Sequence, residues 1–412
     1  MWGAMSPVRK MLLAVVLGAS AGLAAHALGA RSAWLEWALS NVAQPVGQIF
    51  LRLLFMLVVP LLFSALVVGV TELELGQLGR LGLRMLGYTV VVSTIAVLIG
   101  MTLVEVVGPG RGAPAELLER ARQAVAVKPA AGAGVSLLVS IFPDNPVKAA
   151  AQGDMIGLIT FSLLFGVGLA LTRTEAAASL RRGIQGLYDV SMTLIDLVLR
   201  LAPLGVAALL FSMTARMGAD VLGQLAAYVA VVIAGLALQL FVVYSASVWF
   251  LGGMSPRAFF SGSRLAMVTA FSTASSSATL PTALKVAEEN LRLPPRVSRF
   301  VLTAGSAMNQ NGTALFEGVT VLFLAQLYGV HLGLAQQAGV MGICILAGIG
   351  TAGVPAGSIP VVAMILQMFG IPPEGLGLVL GVDRLLDMAR TTVNVTGDLA
   401  AAVYVARDER AA

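Results

Sequence analysis

One cysteine and two histidines among 412 residues remove several chemistries at the outset. Cys344 stands alone, which excludes an intrachain disulfide and a cysteine metal cluster. His26 and His331 are far apart in the chain, leaving little for a zinc site or a Ser-His nucleophile pair. Charge is scarce at 11% of residues, and the net +5 comes with no basic patch interleaved with aromatics, so no nucleic-acid partner is expected. Aromatics make up only 6%, and the apolar runs do not alternate with polar residues, which argues against an outer-membrane β-barrel.

What is present is apolar. Hydrophobic residues make up 58% of the chain and mean hydropathy is +0.90, so an all-α integral membrane protein is expected. The 45 glycines suit helices that pack closely in a bilayer. Apolar runs predict spans near 10–29, 44–70, 85–107, 154–172, 187–214 and 221–250, the first read as a retained span rather than a cleaved signal. With a cytoplasmic N-terminus, Arg9, Lys10, Arg80, Arg84, Arg173, Arg181, Arg182 and the group from Arg257 to Arg299 fall on one side. Arg31, Arg216 and the charged, proline-bearing segment 110–150 fall on the other, in agreement with the positive-inside rule. The expected location is the inner (cytoplasmic) membrane, with both termini cytoplasmic.

The last third changes character. Residues 318–373 carry no Asp, Glu, Lys or Arg, yet Gly348–Pro360 interrupts them with four glycines and two prolines. Ser272–Pro281 similarly divides 258–290. Each broken segment is followed by a helix with a polar interruption, Asn309-Gln-Asn-Gly-Thr313 in one case and Asp383–Asp398 in the other. Paired broken helices of this kind mark an inverted-repeat transporter core, since non-helical backbone at membrane depth persists only around an enclosed or watery cavity.

At 100° per residue, Asp383, Asp387, Arg390, Asn394 and Asp398 fall within roughly 80° of one helix face. Ionisable groups at that depth are costly unless they face a cavity or each other, so this face reads as the wall of a polar site. Arg390 offers a planar fork for a carboxylate, and Asp387 one turn earlier suits an ammonium group. Together they fit an acidic amino acid. The Ser-rich tip at Ser276 supplies backbone N–H groups suited to a carboxylate. No base is expected near Ser276, so a hydrolase reading is set aside and no enzyme activity is expected. Unwound backbone at Asn309–Thr313 offers hard oxygen ligands for a small cation. Glu317 lies one turn beyond Thr313 in an uncharged run, where it suits a proton carrier. Arg52 and Arg200 read as snorkelling or packing residues.

Asp387-Met-Ala-Arg-Thr-Thr-Val-Asn-Val-Thr-Gly-Asp398, Gly350-Thr-Ala-Gly-Val-Pro355, Ser275-Ser-Ser-Ala-Thr-Leu-Pro281 and Asn309-Gln-Asn-Gly-Thr-Ala-Leu315 resemble the glutamate/aspartate transporters, the dicarboxylate/amino acid:cation symporter family, over nearly the whole chain. The resemblance implies a homotrimer, eight transmembrane helices with two re-entrant helical hairpins, inverted repeats and an elevator-type transporter. It implies scaffold helices in 1–74, a third span in 75–110, an extracellular connection in 111–150, and a mainly trimerisation scaffold of fourth and fifth spans in 151–220. The transport domain would comprise the third span and 221–412, with hairpins at 255–291 and 334–371, a seventh span at 295–328 and an eighth at 373–407.

By position, the resemblance assigns substrate binding to Ser276, Thr313, Val354, Asp387, Arg390, Thr391 and Asn394. It assigns Asn309, Asn394 and Asp398 to one Na⁺ site and Thr351 to a second. Several positions depart from the family pattern. Gln310 and Asn311 replace the usual Met and Asp, Thr89 and Val92 replace Tyr and Thr, and Ala307 replaces Thr. Ala274 and Met388 stand where members carry a further arginine, and Glu317 is the carboxylate of proton-carrying members.

The expected function is secondary active symport of L-aspartate or L-glutamate, with no cofactor and H⁺ favoured over Na⁺ as coupling ion. A sodium-coupled aspartate symporter, a C4-dicarboxylate symporter and, from a different class, a passive anion channel are the alternatives.

Overall fold

The computed structural model describes residues 7–28, 33–72, 80–112, 142–152, 154–350 and 358–407. The described residues are helical and contain no strand. The helices are α1 (Pro7–Ala27), α2 (Ala33–Ala38), α3 (Gln44–Met56), α4 (Val58–Glu72), α5 (Arg80–Val107), α6 (Pro146–Gln152), α7 (Met155–Leu171) and α8 (Glu175–Met217). They continue with α9 (Asp220–Leu238), α10 (Pro256–Thr273), α11 (Ser276–Lys285), α12 (Pro295–Met308), α13 (Asn311–Leu327), α14 (Leu334–Gly350), α15 (Ser358–Met368) and α16 (Leu376–Val405). Among the described residues, five stretches are long and apolar enough to cross a membrane: Arg9–Ala27, Ala33–Thr71, Leu81–Val107, Glu175–Arg216 and Asp220–Leu251.

Two of these start earlier than the apolar runs suggest. The second begins at Ala33 instead of near residue 44, through a π-helical turn at Leu39–Ala43. The fifth expected span is the end of a 43-residue helix whose start is set by the Thr174 cap accepting from the Ala177 N–H. Arg181, Arg182 and Asp189 lie inside it, because charged residues end an apolar run without ending a helix. Arg52 and Arg200 are both exposed, as the snorkelling reading expects.

Packing is densest within two groups of helices, which meet where α8 packs on α16. α8 packs against α1, α3 and α4, and α4 against α7. α5 packs against α9, α13 and α14, while α16 is surrounded by α9 through α13. α13 lies at the centre, with every residue from Asn311 to Ala325 buried. Two π-helical turns follow α9, at Gln239–Val243 and Ser247–Leu251. The extra residue in each turn rotates Gln239, Tyr244 and Ser247 into the interior, where all three are buried.

Candidate functional site

Two of the polar interruptions break their helices. Between α10 and α11, Ala274 takes a left-handed conformation (φ 49°) and the Ser275 side chain caps the next helix by accepting from the Ala278 N–H. Ser276 is therefore buried at the first turn of α11, which packs on α16. Between α12 and α13, Asn309 and Gln310 leave helical geometry (ψ 58° and 56°). α14 and α15 flank the third interruption, and both are shorter than a span at 17 and 11 residues. Thr351 and Val354, two of the expected site residues, lie outside the described residues.

The stripe on α16 is buried along its full length: Asp383, Asp387, Arg390, Asn394 and Asp398 are each no more than 6% exposed. Arg390 is the centre of its charge. Its Nε and Nη2 both reach Asp387 Oδ1 (3.0 and 2.9 Å), and its Nη1 reaches Asp383 Oδ1 at 2.9 Å. The guanidinium lies over the Phe316 ring, 4.2 Å from the centroid. Arg384, half-exposed, approaches Asp387 Oδ2 at 3.7 Å. The two residues assigned to opposite ends of a substrate are thus partners of each other. The reason is physical, since a buried charge without a counter-charge is strongly destabilising. Asp383 was legible only as a member of the stripe, and Phe316 carried no signal at all.

Asn394 and Thr313 come together as expected. Asn394 Oδ1 accepts from the N–H groups of Gly312 and Thr313 (2.7 and 3.3 Å), the free N–H groups of the first turn of α13. Its Nδ2 donates to Thr313 Oγ1 at 3.0 Å and to Gln310 Oε1. Thr391 is buried one turn before.

The expected cation ligands are brought together only in part. Asn309 Nδ2 donates to Asp398 Oδ1 at 2.9 Å, in a space that Gly305 leaves open by having no side chain. Asn309 Oδ1 is buried without a hydrogen-bond partner among the described residues. Asn394, the third expected ligand, has turned its oxygen to α13 instead. One carboxylate and one amide oxygen fit a small hard cation only if backbone carbonyls complete the shell. No group of three or more His, Cys, Asp or Glu that could hold a metal occurs among the described residues.

Asn311 is engaged on both sides of its amide. Ser93 of α5 donates to its Oδ1 at 2.6 Å, its Nδ2 donates to Tyr244 Oη at 3.1 Å, and the Tyr244 hydroxyl donates to the Val393 carbonyl at 3.1 Å. The amide thus joins three helical elements with no net charge. Val92 is buried beside this seam, as is Thr89, whose hydroxyl has no partner among the described residues. Tyr244 and Ser93 were not among the residues legible as polar-site members, because nothing in their flanking sequence separates them from ordinary span residues.

Glu317 is fully buried in the middle of α13, and neither carboxyl oxygen has a hydrogen-bond partner among the described residues.

A bundle of apolar helices, several broken at mid-course, that encloses paired charges and a solitary carboxyl defines a membrane transporter with a polar central site. The chain belongs to the sodium:dicarboxylate symporter family, whose pattern matches residues 8–408. It is 34% identical over 373 residues to the proton/sodium-glutamate symport protein of Geobacillus stearothermophilus, covering 89% of this chain and 87% of that one. It is 33% identical over 417 residues to the proton/glutamate-aspartate symporter of Escherichia coli, covering 97% and 92%. Human excitatory amino acid transporter 3 is similar at 29% identity, covering 85% and 76%.

Proposed function

We propose that this protein is a secondary active symporter of L-aspartate or L-glutamate in the cytoplasmic membrane, with both termini cytoplasmic. The observation that carries the reading is the buried Asp383–Arg390–Asp387 cluster. A zwitterion with an extra carboxylate can exchange with this pairing charge for charge: its side-chain carboxylate takes the Arg390 fork and its ammonium takes Asp387. The α-carboxylate then falls to Thr313, Asn394, Thr391 and the hairpin backbones near Ser276 and Val354. Glutamate and aspartate are the substrates named for the bacterial relatives, which supports this reading.

In this reading the α1, α3, α4, α7 and α8 group is the scaffold of a homotrimer, and α5 with α9 through α16 is the mobile transport domain of an elevator. The paired helices α10–α11 and α14–α15 are its two re-entrant hairpins, within a total of eight spans. Glu317 is the proton carrier: it loads a proton as substrate enters and releases it on the far side. The neutral Asn311 seam supports this, since it offers a cation no charge. A second reading keeps Na⁺ at Asp398 and Asn309, with Thr351 contributing to another site, and is favoured by Asn309 Oδ1, which has no hydrogen-bond partner among the described residues.

Radiolabelled aspartate uptake into proteoliposomes under separately imposed Na⁺ and H⁺ gradients tests both. Accumulation in choline buffer driven by a pH gradient, collapsed by a protonophore, is the expected result. Accumulation only with Na⁺ would select the second reading. Equilibration without accumulation under either gradient would indicate a passive channel.

A further inference from the structure

Gln310 is almost fully buried at the break between α12 and α13, and every polar group it owns is used. Its Nε2 donates to the Ser306 carbonyl at 2.8 Å, which leaves Oε1 as the acceptor facing Asn394 Nδ2. Its backbone N–H donates to the Gly348 carbonyl near the end of α14, at 3.3 Å. The orientation of Asn394 is equally determined, because two backbone N–H groups converge on one atom of its amide and that atom must be the oxygen. Both Nδ2 hydrogens are therefore spoken for, one by Thr313 Oγ1 and one by Gln310 Oε1. Asn394 has no donor left for a ligand.

We infer that Gln310 is a self-ligand: a positioning residue that occupies the Asn394 donor until a substrate carboxylate displaces it. The inference rests on the assignment of Asn394 to the substrate carboxylate made above. Displacement has a second consequence. The same residue holds the end of α14 through its backbone, so arrival of a ligand at Asn394 loosens or reorients the residue that ties the α12–α13 break to the α14–α15 pair. Substrate loading and the state of that pair are then read through one side chain.

The sign of a mutational effect distinguishes this role from a merely structural one. Gln310→Met keeps length and volume but accepts no hydrogen bond from Asn394. If Gln310 competes with substrate, Gln310→Met should bind L-aspartate more tightly, by about fivefold, the usual worth of one neutral hydrogen bond. Turnover should fall, because a carboxylate that has displaced nothing is released more slowly. If Gln310 only holds Asn394 in a useful orientation, the same change weakens binding. Direct calorimetric binding of L-aspartate to purified wild type, Gln310→Met and Gln310→Leu reads the sign, and initial uptake rates in proteoliposomes read the turnover. The leucine variant serves where the methionine variant does not assemble. Tighter binding with slower turnover in either variant supports the inference, whereas unchanged or weaker binding overturns it. Failure of the wild type to bind either L-aspartate or L-glutamate in the same calorimetric assay would instead overturn the acidic amino acid reading itself.

Discussion

The guanidinium of Arg390 rests on the ring of Phe316, 4.2 Å from its centroid, while the two carboxylates of its own helix hold its edges. The plane of the fork is thereby fixed on three sides by residues of α13 and α16. An aromatic face gives up little on desolvation and still attracts the cation, so it holds the fork without consuming a donor. Phe316 is also the residue before Glu317, so the cover of the Arg390 guanidinium and the buried carboxyl occupy neighbouring positions on one helix.

Phe316→Leu removes the ring but keeps the apolar volume. A cation–π contact in a desolvated place is worth about 1–2 kcal/mol, so affinity for L-aspartate should fall roughly tenfold while the protein remains folded. Binding by calorimetry and the thermal unfolding midpoint in detergent, measured together, separate the two effects. An unchanged affinity would show that the carboxylates alone orient Arg390.

Arg390→Cys strands Asp383 and Asp387 without their shared cation. Acidic substrates should lose binding, and the protein should lose stability, by about 3–5 kcal/mol at pH 7, the penalty for breaking a buried pair. Competition assays with small neutral amino acids test the accompanying expectation that they gain access.

If Asp387 reads an ammonium group, L-aspartate should outcompete succinate by at least about tenfold, since a buried polar group left without its partner costs 1–3 kcal/mol. Inhibition of labelled aspartate uptake by graded succinate measures the ratio. Equal competition would sink the amino-acid assignment and leave a C4-dicarboxylate as substrate.

Glu317→Gln keeps the shape of a neutral acid but cannot carry a proton. Accumulation driven by a pH gradient should vanish in proteoliposomes, while exchange of internal for external aspartate continues. Retained pH-driven accumulation would move proton carriage elsewhere in the chain.

Gly312→Ala should destabilise the crossing of α13 and α16. An added Cβ would sit 2.6 Å from the Arg390 carbonyl oxygen and 3.1 Å from its Cα, both backbone atoms that move only if the helices part. Overpacking of this kind costs about 1–3 kcal/mol. Gly87→Ala, which meets nothing within 4 Å, is the control in a thermal unfolding series.

Much of this molecule was readable before any coordinates. Apolar runs located five stretches long enough to cross a membrane, although Ala33 and Glu175 show that a helix outlasts its apolar run, and the sixth run, near 154–172, forms the shorter 17-residue α7. Serine and asparagine clusters marked the breaks at Ala274–Ser275 and Asn309–Gln310, because these residues compete locally for backbone hydrogen bonds. Angular arithmetic put Asp383, Asp387, Arg390, Asn394 and Asp398 on one face, and all five are buried.

By itself, then, the sequence determined what depends on neighbours along the chain: which stretches are apolar, where helices break, and which polar groups share a face. The choice of partners belonged to the tertiary structure alone. That the Arg390 fork, held by two carboxylates of its own helix, is covered by Phe316 depends on how closely α13 and α16 approach, which Gly312 permits. That Asn311 joins Ser93 to Tyr244, or that Gln310 claims the Asn394 amide, joins residues up to 218 positions apart in the chain. A buried polar group takes whichever partner the crossing helices bring within hydrogen-bond reach, and no local pattern records which helices cross.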